Sequence, residues 1–362
     1  MTPIPPWDVH LVRRHFLFPN FGRIATNNAA STQPPRALLQ LLHTLAPAYE
    51  NVHRGQSDAS RITTARFEAA YDDIARFVGA SGRNNIVVVR NTTEAHNLVM
   101  YSLMSEFRDG DNVVTTMMEH NSNYVPWYAM CTDILPRFGR RVSCRLARFD
   151  PASGRLDLEH LASLVDARTK LVCCTGASNF FGTKNPLHLV RRLARASGYR
   201  QPDGEEGSYL LVDGAQLVPG QFVDVQAMDA DFLSFSFHKM LAPFGVGALV
   251  AKEQRLRSSL PFMYGGDMIA EGRVFPDRVE YNDLPWKFEA GTPNISGAVG
   301  LAAAIDYVEG LGTAAVHAHE QRLLAQATEA VRAHEIEMAS ALSAKQRSQL
   351  ITMLDQLAPE ER

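Results

Sequence analysis

An acidic residue and a lysine each stand at the end of a short apolar run in the second half of the chain. Asp213 lies in the segment Leu210–Gln216 (LLVDGAQ), and Lys239 ends the segment Ser234–Lys239 (SFSFHK). Two such strands would bring a carboxylate and an amine to one sheet edge. Pyridoxal phosphate needs this pair, because the amine forms a Schiff base with its aldehyde while the carboxylate keeps its pyridine nitrogen protonated. Taken singly, the two residues are better explained as a turn cap and a solvated lysine.

Short runs of β-branched residues alternate with longer helical stretches from about residue 84 onwards. This alternation is typical of β–α–β units, so it predicts one large α/β domain with a mostly parallel seven-stranded sheet and helices on both faces. We expect the strands at residues 86–89, 112–116, 142–149, 170–175, 209–213, 232–236 and 247–251.

The segment Asn91–Glu94 (NTTE) predicts a helix that starts directly after the first strand. A capping side chain followed three positions later by a glutamate satisfies the free N–H groups of a first helical turn. Such a helix start at the carboxyl end of a strand favours an anion, for example phosphate. We therefore expect Thr92 and Thr93 to bind phosphate, with a plain helix cap as the alternative.

The pattern becomes helical after Gly291. Helices are expected at residues 297–311, 314–334 and 343–357, and no convincing strand follows Gly291. These patterns divide the chain into an N-terminal arm at 1–30, a large domain at 31–291, and a reduced, mainly helical C-terminal region at 292–362.

Composition restricts the class of protein. The 362 residues carry a net charge of −3, which argues against a nucleic-acid partner, and their 46% apolar content is enough for a large core. No signal peptide or run of eighteen apolar residues is visible, so we expect a cytoplasmic protein without a membrane partner. Four cysteines, at 131, 144, 173 and 174, are too few for a disulfide scaffold.

Two other kinds of site are not expected. A nicotinamide-dependent dehydrogenase would show a Gly-x-Gly-x-x-Gly motif after a strand, and none occurs here. No metal site is expected either, because His317 and His319 are two positions apart on a predicted helix and would face different directions.

Nine short motifs together resemble those of one enzyme family. From about Ile24 to about Gly312 the chain resembles the class V aminotransferases of the fold-type I pyridoxal phosphate enzymes, and most closely the group II cysteine desulfurases and selenocysteine lyases. Each motif is weak alone, but all nine occur in the right order. They are Asn28–Ser31, Val52–Gly55, Asn91–Glu94, Met118–His120, Ser178–Thr183, Val212–Gln216, Phe237–Lys239, Tyr264–Ile269 and Phe288–Asn294.

The resemblance implies roles around the ring of pyridoxal 5'-phosphate. Lys239 would be the Schiff-base lysine and then the base that moves the Cα proton. Asp213 would pair with the pyridine nitrogen, and His120 would stack on the ring and could pass a proton, although a packing role for this histidine is about as plausible. Gln216 would bond the phenolic oxygen, and Asn179 would lie beside that oxygen or the substrate carboxylate.

The resemblance also implies how the phosphate and the substrate are bound. Thr92 and Thr93 would be joined at the phosphate by Ser236 and His238, and by Thr292 from the neighbouring subunit of a homodimer. His53 and Arg54 would help to shape the substrate entrance. The alternative for Arg54 is a salt-bridged surface arginine.

The sequence also departs from this family pattern. Group II desulfurases carry a persulfide-forming cysteine and a carboxylate-binding arginine in a C-terminal small domain, and we find neither at the expected place. Cys173 and Cys174 fall in a predicted buried strand, and Cys131 and Cys144 precede Lys239 by about a hundred residues. None occupies the family position, so all four are better explained as structural. Phe237 replaces the small residue that usually precedes the His-Lys pair, which could crowd the cofactor edge.

The expected function is that of a pyridoxal phosphate enzyme acting on a small amino acid through Lys239. Cleavage of a C–S bond is the nearest chemistry. Transamination, epimerisation or another lyase reaction remains open, because the same cofactor serves them all. A non-catalytic protein that binds the cofactor as a scaffold is the alternative from a different class.

Overall fold

The structure is a computed structural model that describes residues 8–22, 25–242, 245–341, 343 and 346. The α-helices are α1 (Val9–Arg13), α2 (Arg36–Leu45), α3 (Asp58–Phe77), α4 (Thr92–Met104), α5 (Asn121–Ala129), α6 (Leu158–Leu164), α7 (Leu187–Arg195), α8 (Val225–Met228), α9 (Glu253–Ser258), α10 (Ile295–Leu311) and α11 (Thr313–Ala341). The strands are β1 (Ile86–Val89), β2 (Asn112–Thr116), β3 (Ser143–Ala147), β4 (Phe149–Asp150), β5 (Arg155–Leu156), β6 (Thr169–Thr175), β7 (Tyr209–Asp213), β8 (Phe232–Ser236), β9 (Gly247–Ala251), β10 (Ile269–Val274) and β11 (Val279–Tyr281).

Seven of these strands form one central sheet, in the order β1-β9-β8-β7-β6-β2-β3. The pairings β2–β3, β2–β6, β6–β7 and β7–β8 are parallel, and β9 is antiparallel to both of its neighbours. Strand β9 therefore runs against the other six, whose carboxyl ends share one edge. The predicted mostly parallel, seven-stranded sheet is confirmed. One expected strand, 142–149, is interrupted, because β3 ends at Ala147 and the short pair β4–β5 begins at Phe149.

Side chains from the two faces of the sheet enter two separate apolar clusters. Along β7, Leu210 and Val212 belong to one cluster, and Tyr209 and Leu211 belong to the other. This alternation follows from the two-residue repeat of a strand, and it requires cover on both faces. Helices α3, α7 and α10 contribute to the first cluster and α4 to the second, which confirms the prediction of helices on both faces.

The sequence pattern did not indicate the hairpin formed by β10 and β11. These strands pair in a separate two-stranded sheet with an irregular register between Ile269 and Val274. The first strand (IAEGRV) contains two charged residues and Gly272, so the hydrophobic alternation that marks a strand is weak there.

The chain divides into two compact units after Leu311. In the first unit, α10 packs against α2 and α3. In the second, the described side chains of α11 are exposed or half-buried. The helices expected at 297–311 and 314–334 are present, whereas the one expected at 343–357 lies outside the described residues, except for Ser343 and Gln346. The boundary expected at residue 291 stays a prediction.

Among the described helices, none is by itself both long and apolar enough to cross a membrane. Helix α10 and residues 313–334 reach that length and composition only when they are counted together.

Candidate active site

A cavity of about 400 Å³ opens at the sheet edge where the six aligned strands end. Most of its lining residues end a strand or follow one within a few positions, because connections at a parallel sheet's carboxyl edge converge there. The lining residues are Asn27, Ala29, Ala30, Asn91, Thr92, Thr93, His120, Ser122, Thr175, Ala177, Asn179, Asp213, Ala215, Gln216, Ser236, His238 and Lys239.

The structure brings Asp213 and Lys239 to the same cavity. Asp213 is the last residue of β7, and its Oδ1 accepts a hydrogen bond of 2.9 Å from the main-chain N–H of Ala215. Lys239 ends the short 3₁₀ turn that follows β8. Burial lowers the pKa of the Lys239 amine, and the negative charge of Asp213 opposes this shift. A lowered pKa leaves more of the amine free to attack a carbonyl.

The start of α4 forms one end of the cavity. Asn91 caps the helix by accepting a 3.0 Å hydrogen bond from the N–H of Glu94, as its position in the sequence predicted. The N–H of Thr92 donates to the hydroxyl oxygen of Ser236 at 2.8 Å, and the two hydroxyl oxygens are 2.6 Å apart. Thr93 and His238 line the same end. These donors suit a phosphate group.

His120 caps the N-terminus of α5. Its Nδ1 accepts a 3.1 Å hydrogen bond from the N–H of Ser122 and lies 2.8 Å from the Ser122 hydroxyl oxygen. The ring is thus held by its own helix at one nitrogen while it lines the cavity. Neither Ser122 nor the buried His96, whose Nδ1 lies 2.9 Å from the main-chain oxygen of Ser122, was predicted from the sequence. The only available signal for His96 was its position four residues after Thr92 on α4.

Two further expected residues line the cavity. Asn179 is exposed in the loop after β6, and Gln216 donates from its amide to the carbonyl oxygen of Ala29 at 2.9 Å. A second contact ties the same N-terminal segment to the lysine turn, because the carbonyl oxygen of His238 accepts from the N–H of Thr32 at 2.7 Å. The motif at 28–31 therefore forms one wall of the cavity.

Three expected residues do not line the cavity of their own chain: His53, Arg54 and Thr292. The His53 ring lies 4.5 Å from the ring of Trp286, and Nε of Arg54 lies 3.0 Å from an oxygen of Asp267. The alternative of a salt-bridged surface arginine therefore has a named partner. Thr292 is exposed in the turn before α10. The roles expected for these three residues stay predictions.

Phe237 packs in the core, its ring 5.3 Å from that of Phe235, and it is not among the lining residues. The larger side chain is thus accommodated in the apolar core and not among the residues that line the cavity.

Glu119, the residue before His120, connects three elements of the fold through the hydrogen bonds of its side chain. Its carboxylate accepts hydrogen bonds from the hydroxyl of Thr116 at 2.7 Å, the N–H of Thr175 at 2.8 Å and the amide of Asn123 at 2.6 Å. These partners belong to β2, β6 and α5. Burial raises the pKa of Glu119 to about 8, although the three donors act in the opposite direction.

The four cysteines lie apart from the cavity lining. Cys173 and Cys174 are fully buried in β6, and burial raises the pKa of each well above the ordinary thiol value. Burial also raises the pKa of Cys131 to about 12 and that of Cys144 to about 11. All four are therefore poor nucleophiles, in agreement with the structural role expected for them.

A family profile described as "Aminotransferase class-V" matches residues 24–359. The chain belongs to the class V aminotransferase family. This membership confirms the expected fold class, and with it the expectation of a pyridoxal phosphate enzyme. The side chains in the cavity fit that cofactor: a lysine of lowered pKa, a carboxylate at a strand end and a helix start rich in hydroxyl groups.

Relatives of this class V protein carry names that refer to one reaction. A cysteine desulfurase of Haloferax volcanii is 42% identical over 83% of this chain and 67% of its own length. A probable cysteine desulfurase of Halobacterium salinarum is 38% identical over 89% of this chain and 75% of its own length.

Solved structures of other cysteine desulfurases resemble the fold of this chain. The solved structure of the cysteine desulfurase from Thermococcus onnurineus NA1 superposes with a TM-score of 0.82 at 30% identity, covering 92% of this chain and 78% of the other. The cysteine desulfurase CsdA from Escherichia coli gives a TM-score of 0.72 at 29% identity, over 84% of this chain and 72% of that one.

Proposed function

We propose that this class V protein is a pyridoxal phosphate-dependent enzyme that cleaves the C–S bond of cysteine or a closely related small amino acid. The observation that carries the proposal is the meeting of Lys239, Asp213 and His120 in one cavity. The names of the relatives support the choice of C–S cleavage over other reactions of this cofactor. The scaffold alternative is not favoured, because a protein that only binds the cofactor has no use for the lysine and carboxylate together.

The proposed cofactor site uses both ends of the cavity. Thr92, Thr93, Ser236 and His238 would hold the phosphate at the start of α4, and Asp213 would pair with the pyridine nitrogen at the end of β7. When bound, pyridoxal phosphate supplies an aldehyde for amines and a ring that accepts electrons from the substrate Cα. Gln216 and Asn179 line the same cavity as the carboxylate and would contact the ring oxygen or the substrate.

The proton transfers would fall to two side chains. The Nζ of Lys239 is suited to take the Cα proton of the substrate, because burial lowers the pKa of the amine and so raises the share of its neutral form. His120 lines the cavity as well and would move a second proton at the sulfur or at the ring. His53 and Arg54 would shape the entrance.

We infer that the enzyme acts as a homodimer in the cytoplasm. Thr292 is exposed and absent from the lining of its own cavity, which fits a contact with the phosphate in a second subunit. Within this proposal residues 1–30 form an arm, residues 31–291 bind the cofactor, and residues 292–362 form a mainly helical C-terminal region.

The test is a screen of amino acids with the cofactor-loaded enzyme, followed by identification of every product. Cysteine or a close analogue should give sulfide or transferred sulfur, and Lys239→Ala protein prepared in parallel should give none. Keto acid with no sulfur product, or a D-isomer, would replace C–S cleavage by transamination or epimerisation. A cofactor absorption band that responds to no amino acid would favour the scaffold.

A further inference from the structure

His96 is a fully buried histidine on α4, and both of its ring nitrogens have polar partners. Its Nδ1 lies 2.9 Å from the main-chain oxygen of Ser122, and its Nε2 lies 2.7 Å from the hydroxyl oxygen of Ser234. Because a carbonyl oxygen can only accept, Nδ1 must carry the proton. Burial lowers the pKa of His96, so the ring is neutral and Nε2 accepts from the Ser234 hydroxyl. The tautomer of His96 is thus determined from both sides.

The carbonyl oxygen of Ser122 lacks its usual helical donor, because the residue four positions later in α5 is Pro126. In an uninterrupted α-helix the N–H of residue 126 would donate to the carbonyl oxygen of residue 122. Proline lacks an N–H, and Pro126 lies inside α5. The His96 ring supplies the missing donor, so it holds the first turn of α5 in place of a helical hydrogen bond.

Ser122 in turn determines where the proton of His120 resides. The N–H of Ser122 donates to Nδ1 of His120, so this nitrogen must present its lone pair. A neutral His120 therefore carries its proton on Nε2. The donors and acceptors form one directed series: the Ser234 hydroxyl to His96, His96 to the Ser122 carbonyl, and the Ser122 N–H to His120.

We propose that His96 is a positioning residue for His120: by fixing Ser122, it keeps His120 in the tautomer whose Nε2 carries the proton. Any proton that His120 exchanges with the reacting atoms then passes through Nε2, because Nδ1 is occupied by the Ser122 N–H. The catalytic consequence rests on the proposed function, in which His120 acts inside this cavity. The tautomer itself does not depend on which reaction is catalysed.

Nitrogen-15 NMR of the cofactor-loaded enzyme, labelled at histidine, tests the tautomer directly. The difference from the spectrum of His120→Gln assigns the signals of His120. We expect an unprotonated Nδ1 and a protonated Nε2 in the original protein, and a mixture of tautomers in His96→Phe, which keeps a ring but loses both polar contacts. His188→Phe, on the exposed face of α7, is the matched control. An unchanged His120 signal in His96→Phe overturns the proposal.

Two rescue variants separate this role from simple packing. His96→Asn keeps an amide N–H where Nδ1 was, and Pro126→Ala returns the helical N–H to Ser122 in the His96→Phe background. Both should restore the original His120 signals. If His96→Phe alone does not fold, the measurement is made on His96→Asn and on the double variant. Folded rescue variants that show mixed tautomers would contradict the proposal.

Kinetics provide the functional half of the test. His96→Phe should lower kcat by about tenfold, a part of the ~10²–10⁴ that a positioned acid–base group contributes, and leave KM unchanged. In a His120→Gln background the same change should have no further effect, because its route through His120 is already lost. An equal loss in both backgrounds would show a general structural role and overturn the proposal. If no amino acid reacts, the proposed function fails while the NMR result still decides the tautomer.

Discussion

Thr92 and Ser236 are 144 positions apart in the sequence, yet their hydroxyl oxygens lie 2.6 Å from each other at one end of the cavity. The contact joins the start of α4 to the end of β8. It therefore places the proposed phosphate donors of α4 next to the turn that carries Lys239.

Removing the Ser236 hydroxyl should weaken cofactor binding. Ser236→Ala loses one donor to the phosphate and leaves the Thr92 N–H without its present acceptor. A hydrogen bond to a charged group is worth about 1.5–3 kcal/mol, so the dissociation constant for pyridoxal phosphate should rise about 10- to 100-fold. Titration followed by cofactor absorbance measures the change. Ser258→Ala, on α9, is the control, and equal affinities in the two variants would remove Ser236 from the phosphate site.

Lys239→Ala should abolish the visible absorption of the lysine-linked cofactor and all turnover, while the fold persists. Alanine removes the amine but leaves the 3₁₀ turn, whose main chain is held by contacts such as the bond from the N–H of Thr32 to the carbonyl of His238. Absorption spectra, circular dichroism and product assays together check this result. Lys184→Ala, at an exposed lysine, should keep both properties. Turnover in Lys239→Ala would overturn the assignment of the lysine.

Much of the fold could be predicted from the sequence because its strands are short and strongly apolar. The runs at 86–89, 112–116, 209–213, 232–236 and 247–251 coincide with strands, since β-branched residues bounded by polar turns leave little ambiguity. Family motifs such as Val212–Gln216 then indicated which strand ends would meet.

The remaining features depend on the order of strands and on distant contacts. Strands β1 and β8 lie on either side of β9, so no local pattern contains the meeting of Thr92 with Ser236, which only the family resemblance indicated. The contact of His96 with Ser122 likewise joins two helices, and nothing near either residue indicates it. The pairing of Arg54 with Asp267 spans 213 positions.

Glu119 should make the stability of the protein depend on pH. Burial raises its pKa in the folded state from 4.5 to about 8, so between these values the unfolded state loses a proton that the folded state keeps. The contribution to the free energy of unfolding is complete below about pH 4.5 and is lost as pH rises to about 8, by about 1.4 kcal/mol for each unit of pKa difference.

Urea unfolding of Glu119→Gln at several pH values measures this contribution. The neutral amide cannot ionise, so the decline between about pH 5 and about pH 8 should be reduced in this variant. Asp133→Asn, at an exposed carboxylate, should retain the decline of the original protein. Identical pH profiles for Glu119→Gln and the original protein would show that Glu119 is ionised throughout this range.

The cysteines should not carry sulfur during turnover. Cys144 is the least buried of the four, and its pKa of about 11 leaves about one thiolate in a thousand at pH 8. Cys144→Ser should therefore keep the full rate of sulfur release from cysteine. Trapping with an alkylating reagent after turnover of radiolabelled cysteine, followed by peptide mapping, measures sulfur on each thiol. Labelled persulfide on any of the four would refute this expectation.

Thr292 provides a test of the proposed homodimer. If it contacts the phosphate of the neighbouring subunit, Thr292→Val should weaken cofactor binding at the site of its partner rather than at its own.

Lys239→Ala and Thr292→Val subunits, carrying different tags, can be co-expressed and purified as a mixed dimer. One site then lacks both side chains and the other retains both, because each site takes Lys239 from one subunit and Thr292 from the other. The mixed dimer should show about half the original activity with unchanged cofactor affinity. Were Thr292 to serve its own subunit, each site would carry one defect, and the mixed dimer would bind cofactor as weakly as Thr292→Val protein at its only lysine-containing site.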